Sequence, residues 1–326
     1  MNITGYSATN LLSEALWNMK VSAVSKESRN GPMEYIPEPV TLTLVNPELR
    51  VVSDPTRDAN PFFHLAETVW MLGGGQGLEF VTEYNSGMTR YSDDGATLHG
   101  AYGHRWRKHF YRDQIMDVIT LLDNDPYTQR AYVSMFDAEV DHGDILDIPC
   151  NVGLQFLVTQ SGALDMTVFN RSNDLIWGAL GANVVHMTYL HELVAHGVGR
   201  SVGRYRVLTN CLHGYTGASQ YYALVAQPAL TDCYDEAGIR PLPLLLHRET
   251  AYDMLEGCKR AVSMPWEDSY RCNWLDRVWV PARDAYQARK NGDDYRPHLE
   301  SIAATDWRYA CEQWCARREE SDNRAA

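Results

Sequence analysis

The chain has 326 residues, of which 45% are hydrophobic and 22% charged, a globular composition that excludes a largely disordered protein. Its formal net charge of -13 argues against bulk attraction to nucleic acid or to an anionic membrane, and no apolar run is long enough to span a bilayer. The seven cysteines include no CxxC pair, and the N-terminal residues lack the basic start and apolar centre of a secretory signal. We therefore expect free thiols in a cytoplasmic protein.

Hydrophobic periodicity and turn signals predict the elements of the first half of the chain. The clearest helix begins at Asn60 and Pro61, a capping residue followed by a proline that suits a first helical turn, and it ends at Gly73. A later helix is closed by Pro126. In chain order we predict a helix over 1–25, a loop over 25–39, a strand over 40–47, a helix over 60–73, a turn-rich stretch over 76–103 and a helix over 113–125.

The second half changes from strands to helices at about residue 216. Ser161 and Gly162 supply the turn of a predicted hairpin, and Gly197 or Gly199 ends a long helix. The predicted elements are strands over 131–137, 152–171 and 204–210, a helix over 183–197, and helical segments over roughly 248–264, 268–291 and 297–319.

Cys150, in the sequence DIPCNVGLQF, is the first candidate for chemistry. A free cysteine often packs as a small buried hydrophobic group. A nucleophilic thiolate instead needs positive charge nearby, and no cation is close to Cys150 in the sequence, so the fold would have to bring one. The residues alone leave both interpretations open.

Three polar motifs have the residue types of an anion or sugar site. Arg171 and Ser172, in NRSND, offer donors that suit phosphate, although an arginine–aspartate pair capping a turn fits equally well. The stretch 98–110 is rich in arginine and histidine and can be a solvated basic face. His213 and Tyr215, in LHGY, can donate to a sugar or form a satisfied core pair.

Glu67 lies on the predicted helix over 60–73, whose other positions are mostly apolar. A carboxylate that faces inward is costly unless it is paired or takes part in proton transfer. The periodicity also allows Glu67 to lie on the outer face of the helix.

The order and spacing of these motifs resemble the thymidylate synthase family, which includes pyrimidine nucleotide hydroxymethylases. The resemblance runs from about Arg29 to Tyr215 and rests on NPFFHLAETVWML, GAYGHRWR, DQIMDVITLL, Pro-Cys followed by Gln-Phe, NRSND with a downstream Gly and Asn, and LHGY. It implies an α/β (α+β) fold in which a large twisted mixed sheet has one face at a homodimer interface and the other under helices. It also implies a catalytic core over 1–215, with a divergent, mostly helical region over 216–326 packed on that core.

The resemblance assigns a role to each matching residue. Cys150 resembles the nucleophile that adds to C6 of a pyrimidine, after which C5 attacks the methylene of 5,10-methylenetetrahydrofolate. Glu67 and Tyr102 resemble residues that move protons at the ring, and Asp174 and Gly178 resemble folate-binding residues, with Asp174 also ordering water. The implied substrate ligands are Arg29, Arg171 and Ser172 for the phosphate, Arg130 donated to it across a homodimer interface, His213 and Tyr215 for the ribose, and Asn183 for the base. We expect the pooled arginines to lower the pKa of Cys150.

The chain departs from the family pattern at several of these positions. The cross-subunit arginine pair is reduced to Arg130, the usual His after the nucleophile is Asn151, and the usual Gln before Arg171 is Asn170. The stretch from Gly178 to Asn183 is one residue longer than in synthases, and the short apolar C-terminal tail that closes over folate is not recognisable. Met88 and Tyr91 replace a tryptophan pair.

These departures bear on the reaction. Family members share an exocyclic methylene on the pyrimidine, which hydride converts to a methyl group and water converts to a hydroxymethyl group. Loss of the indole pair and of the closing tail should admit water, because a dry, closed site protects a reactive species. We therefore expect a hydroxymethylase, with a methyl-forming thymidylate synthase as the alternative.

The base and the biological setting are less constrained. The amide of Asn183 can donate to O4 and accept from N3–H, which favours dUMP, while dCMP and CMP stay open. A non-catalytic dimeric homologue is a more remote alternative. We expect no metal site, since no His, Cys and Asp group has ligand spacing, and the host cytoplasm as the setting if a phage encodes the protein.

Overall fold

We describe a computed structural model covering residues 1–236, 238–245 and 249–325. The strands are Asn2–Gly5, Val24–Ser28, Gly31–Tyr35, Val40–Leu44, Tyr132–Ser134, Asn151–Val158, Leu164–Asn170, Asn173–Asp174, Val202–Thr209 and Leu212–Tyr215 (β1 to β10). The α-helices are Ala8–Ser22, Pro61–Leu72, Leu78–Thr82, Tyr102–His104, Gln114–Asn124, Asn183–Gly197, Ser219–Ala226, Ala251–Ser263, Val280–Asn291, Arg296–Glu300 and Thr305–Ala325 (α1 to α11). Single turns of 3₁₀ helix cover Ser86–Tyr91 and Cys233–Asp235, and π-helical turns cover Arg105–His109, Leu175–Ala182 and Leu275–Trp279.

The large sheet of the described chain is mixed, with strand order β1-β4-β9-β7-β6-β5. β1 runs parallel to β4, and β7 runs parallel to β9, whereas the other neighbours are antiparallel. Side chains alternate along each strand, so that Leu154, Phe156 and Val168 are buried on one face while Gln155 and Phe169 are only half-buried on the other. Helix α6 packs on β7 and β9 of this sheet and α2 packs on α6, which confirms the predicted mixed sheet covered by helices.

A second, smaller sheet has the strand order β2-β3-β10-β8. β2 and β3 form a hairpin in which Gly31 adopts a left-handed φ of 109°, which glycine tolerates without a steric cost. β10 joins β3 antiparallel and β8 parallel, and His213 lies opposite Asp174 in that pairing. This sheet carries several of the predicted site residues to one edge of the fold.

Local capping explains why the helix predictions in the middle of the chain are confirmed. The Asn60 side chain accepts a hydrogen bond from the Phe63 amide at 3.2 Å, and Pro61 occupies the first turn of α2. Asp113 caps α5 in the same way through the Met116 amide, also at 3.2 Å. The helix predicted over 183–197 is observed as α6.

The N-terminal predictions are partly wrong. Residues 1–25 contain strand β1 as well as α1, and β2 begins at Val24. The predicted loop over 25–39 is largely the β2–β3 hairpin, because pairing with β10 satisfies backbone groups that the local sequence alone leaves open. Gly5 makes the close turn from β1 into α1, since a Cβ there would lie 2.3 Å from the Leu11 amide nitrogen.

The C-terminal helices differ in detail from the prediction. The segment predicted over 248–264 is α8, and residue 248 lies outside the described residues. The segment over 268–291 is helical from Asn273 onward, and the segment over 297–319 is interrupted between α10 and α11. These helices contribute Trp274, Trp279 and Trp307 to the same core as α2 and α6.

Candidate active site

Cys150 and Arg171 meet because β6 and β7 are paired. Cys150 immediately precedes β6 and Arg171 follows β7, and the Arg171 amide donates to the Cys150 carbonyl at 3.0 Å. The Arg171 guanidinium comes within 3.9 Å of the Cys150 Sγ. The fold therefore supplies the cation that the sequence near Cys150 lacks.

The Arg171 guanidinium is held by two backbone carbonyls, although the residue is exposed to solvent. Its Nε donates to the Pro149 carbonyl at 3.0 Å, and its Nη2 donates to the Ile148 carbonyl at 2.9 Å. Arg171 is an exposed residue, and its Nη1 has no hydrogen-bond partner in the described part of the chain. This arrangement leaves one edge of a fixed guanidinium available to an anion.

The pKa of Cys150 moves in the direction opposite to our expectation. Burial raises it above its ordinary value, while the charge of Arg171 and the hydroxyl of Ser172 act in the lowering direction without reversing the shift. The arginines are not pooled at the thiol: Arg29 donates to the Ile145 and Leu146 carbonyls at 3.4 and 3.3 Å, and Arg130 is exposed. The resting group of the free protein is therefore a thiol.

Glu67 faces inward on α2 and is paired with His186 on α6. Its Oε2 lies 3.1 Å from the His186 Nδ1, and both side chains are buried. The Tyr102 ring meets the His186 ring edge-on with centroids 5.7 Å apart. Burial raises the pKa of Tyr102 well above its usual value, and the nearby Cys150 acts in the same direction, so the Tyr102 hydroxyl keeps its proton. Sequence reasoning missed His186, since 119 residues separate it from Glu67.

Two asparagines close to Cys150 have unsatisfied amide groups. The Asn151 side chain is buried beside the Tyr102 hydroxyl, but neither its oxygen nor its nitrogen makes a well-formed hydrogen bond to the described chain, and the Asn170 oxygen is in the same condition. Buried amides without partners cost stability, so their presence here indicates groups arranged to meet a ligand or water.

Asp174 caps the turn that leads to Asn183. Its Oδ1 accepts from the Ile176 and Trp177 amides at 2.8 and 3.0 Å. A Cβ at Gly178 would lie 2.6 Å from the Asn173 Oδ1 and 3.5 Å from the Asn183 Nδ2, so the glycine lets these two amides approach the turn. Gly178 thus lies close to Asn183, in the turn that Asp174 caps.

His213 and Tyr215 lie together on β10, with ring centroids 5.0 Å apart. The His213 Nδ1 is 3.2 Å from the Cys211 carbonyl, and the Tyr215 hydroxyl accepts from the Asn30 side chain at 3.2 Å. Arg29 lies in the same β2–β3 turn as Asn30. The small sheet therefore brings the predicted ribose and phosphate ligands to one edge.

The stretch 98–110 is not a solvated basic face. The Arg105 side chain is fully buried and donates to both carboxylate oxygens of Asp141, at 3.0 and 2.7 Å. Asp141 also contacts His99 at 2.6 Å and accepts from the Asp137 amide at 2.7 Å. This network, which sequence reasoning missed, ties the segment containing Tyr102 to the loop that leads into Cys150.

The described residues contain neither a metal-binding cluster nor a membrane-spanning helix. They contain no group of three or more His, Cys, Asp or Glu side chains placed to hold a metal ion. None of their helices combines the length and the apolar character needed to cross a membrane.

Comparison with known proteins identifies the family. The family described as "Thymidylate synthase" matches residues 55–237. The chain is 40% identical to "Deoxyuridylate hydroxymethyltransferase" of Pseudomonas phage M6 over 322 residues, which cover 94% of this chain and 91% of that protein. It is 36% identical to the protein of the same name from Bacillus phage SP01, over 54% of this chain and 49% of that protein. It is also 35% identical to a "Putative thymidylate synthase" of Methanothermobacter marburgensis, over 38% of this chain and 54% of that protein. The chain belongs to the thymidylate synthase family.

Proposed function

We propose that this protein is a folate-dependent one-carbon transferase that hydroxymethylates C5 of dUMP to give 5-hydroxymethyl-dUMP. One observation carries the chemistry: the Cys150 Sγ lies 3.9 Å from a guanidinium that keeps a free, exposed edge for a phosphate. The relative from phage M6, similar over nearly the whole chain, supports the choice of base and product.

The first step forms a bond between the Cys150 sulfur and C6 of the pyrimidine. The thiol loses its proton as it attacks, and the C5–C6 electron pair becomes an enolate that extends to O4. Because the pKa of Cys150 is raised in the free protein, this step needs a proton acceptor or the bound substrate itself. The Glu67–His186 pair and Tyr102 line the same region and can exchange protons at the ring.

The proposed phosphate and ribose ligands lie on the β2–β3 turn, between β7 and β8, and on β10. Arg171, Ser172 and Arg29 would bind the phosphate, and His213 and Tyr215 would bind the ribose. Asn183 would donate to O4 and accept from N3–H, a pattern that a uracil edge satisfies and a cytosine edge does not.

The residues present fit a folate co-substrate. The Trp177 ring is 47% exposed and stacks on Phe63 with centroids 6.1 Å apart and planes 22° from parallel, which offers an aromatic surface to a flat pterin. Asp174 and Gly178, next to this ring, would hold the pterin, and 5,10-methylenetetrahydrofolate would supply a one-carbon unit at the oxidation level of formaldehyde. Met88 and Tyr91, both half-buried where synthases have tryptophans, favour entry of water over retention of hydride.

We also propose that the protein is a homodimer with shared active sites. The half-buried face of the large sheet, which includes Tyr132, Leu157 and Phe169, would form the interface. Arg130, exposed beside β5, would then reach the phosphate of the partner site. All seven cysteines are free, which supports a reducing compartment such as a cytoplasm, or that of the host if a phage encodes the protein.

The proposed packing of an appended region over 216–326 on a core over 1–215 is supported by contacts between the two. The Tyr286 hydroxyl donates to the Glu83 carbonyl at 3.1 Å, and the Trp307 indole donates to the Tyr189 hydroxyl at 2.6 Å. The ring of Trp314 packs on that of Phe62, with centroids 5.5 Å apart. This region thus supports the helices that carry Glu67 and His186.

The test is mass analysis of the nucleotide formed from 5,10-methylenetetrahydrofolate with dUMP, dCMP or CMP. We expect 5-hydroxymethyl-dUMP and tetrahydrofolate, and neither with Cys150→Ser. A 5-methyl product with dihydrofolate would establish a thymidylate synthase, and turnover of a cytosine nucleotide in preference to dUMP would refute the base assignment. No difference from Cys150→Ser would establish a non-catalytic homologue.

A further inference from the structure

The proposed reaction needs a base for the water that attacks the exocyclic methylene, and the buried Glu67–His186 pair has the form of such a base. The His186 Nδ1 lies 3.1 Å from the Glu67 Oε2, so a neutral imidazole carries its proton on Nδ1 and donates a hydrogen bond from it to the carboxylate. The second nitrogen, Nε2, is then an acceptor. It is buried and has no hydrogen-bond partner in the part of the chain described.

The His186 Nε2 is therefore placed to accept a hydrogen bond from a ligand or a water molecule, because an unsatisfied buried nitrogen costs stability. The Trp106 indole N–H is a second buried group without a partner, and its ring centroid lies 6.2 Å from that of His186. A water molecule there could accept from the indole and donate to Nε2. Tyr102, whose ring meets that of His186 and whose hydroxyl interacts electrostatically with Cys150, places this position near the proposed nucleophile.

We infer that His186 is the general base that activates the attacking water in the hydroxymethylation proposed above, with Glu67 holding its tautomer. The water oxygen forms a bond to the exocyclic methylene carbon, and its proton passes to Nε2. The C5–methylene electron pair moves into the C4–O4 enolate. When that enolate collapses, C5–C6 becomes a double bond, the C6–S bond breaks, and Cys150 leaves as a thiolate. The imidazolium formed on His186 is stabilised by the Glu67 carboxylate.

His191 provides a matched control on the same helix. It is also fully buried, but its Nε2 lies 2.6 Å from the Leu164 carbonyl in β7, and its nearest charged neighbours are Asp165, Arg50 and Glu192. It faces the large sheet and not the Glu67 side of α6. Loss of its imidazole therefore removes a buried histidine from α6 without removing the proposed base.

The experiment compares wild type with His186→Asn, His186→Gln and His191→Asn. The asparagine variant keeps an amide near the Nδ1 position to meet Glu67, and the glutamine variant restores a polar group near the Nε2 position. Two rates are measured on dUMP tritiated at C5 with 5,10-methylenetetrahydrofolate: release of tritium, which reports formation of the methylene, and formation of 5-hydroxymethyl-dUMP. Added 2-mercaptoethanol thiolate, a nucleophile that needs no base, serves as a trap for the methylene.

For His186→Asn we expect the ratio of product to tritium release to fall about 100-fold, the usual lower range for loss of a general base. Both His186 variants should then form the thioether of the nucleotide when the thiol is added, and His191→Asn should keep the wild-type ratio. Equal losses of tritium release and product in the His186 variants would overturn the inference, as would a ratio unchanged from wild type. If wild type itself forms no 5-hydroxymethyl-dUMP, the proposed function fails before the role of His186 is reached.

Discussion

Replacing Asp141 with asparagine should destabilise the protein and misplace the nucleophile. The Asp141 carboxylate receives both terminal nitrogens of Arg105, the His99 ring and the Asp137 amide, at distances from 2.6 to 3.0 Å. An asparagine at this position keeps the size but removes the charge, and it turns one acceptor into a donor that faces other donors. Because the Arg105 side chain is fully buried, the variant leaves an uncompensated buried charge, which costs about 3–5 kcal/mol.

The assay is urea unfolding followed by tryptophan fluorescence, with tritium release from dUMP measured on the folded protein. We expect the free energy of unfolding to fall by about 3–5 kcal/mol. Asp117→Asn is the control, since Asp117 pairs with Arg112 on the surface, where such pairs contribute about 0–1 kcal/mol. Tritium release should fall in Asp141→Asn and not in the control, because the network joins the Tyr102 segment to the loop before Cys150.

The pH dependence of the same variant gives a second check. Burial acts to raise the pKa of Asp141, but the Arg105 guanidinium and the other donors hold it below its ordinary value. A lowered native pKa stabilises the protein above the unfolded pKa of about 4, and that contribution is lost as pH falls through the native value. The gap between wild type and Asp141→Asn should therefore narrow in acid. A loss no larger than that of Asp117→Asn at neutral pH would refute the reasoning.

Two further predictions concern the C-terminal region and the proposed folate surface. Burial raises the pKa of Asp306 to about 6, so its contribution to stability is present below the unfolded pKa of about 4 and is lost as pH rises through 6. Asp306→Asn should therefore reduce the change in melting temperature between pH 4 and 7, and a change as large as that of wild type would contradict this. Trp177→Ala should raise the KM for 5,10-methylenetetrahydrofolate up to about tenfold with the KM for dUMP little changed, since an aromatic pair contributes about 0.5–1.5 kcal/mol. Trp17→Ala, which removes another exposed indole, is the control, and an equal effect in both variants would remove Trp177 from the folate site.

Helices with local caps could be predicted from the sequence. Asn60 and Asp113 cap the first turns of α2 and α5 with their own side chains, so the local sequence indicates where each helix begins. The strand β1 and the β2–β3 hairpin were missed, because their partners β4 and β10 lie far along the chain. Pairing of that kind is decided by the whole fold and leaves little periodic signal in a short segment.

The candidate site likewise combines residues that local motifs predict with partners that only the fold brings near. The family motifs predicted Cys150, Arg171 and Glu67 as site residues. In the structure the first two are in contact, and Glu67 faces inward against His186. The partners of these groups were not predictable, since His186 and Asp141 carry no local motif. The direction of the Cys150 pKa was also missed, because it depends on how deeply the thiol is buried and not on how many arginines the motif supplies.

The central claim is that the Cys150 sulfur bonds to C6 of a bound pyrimidine. The most direct measurement is peptide mass mapping after incubation with 5-fluoro-dUMP and 5,10-methylenetetrahydrofolate, since fluorine at C5 cannot leave as a cation and the covalent complex should persist. We predict one nucleotide and one folate on the peptide that contains Cys150. Absence of a covalent complex, or its attachment at the other half-buried cysteine, Cys211, would contradict the account.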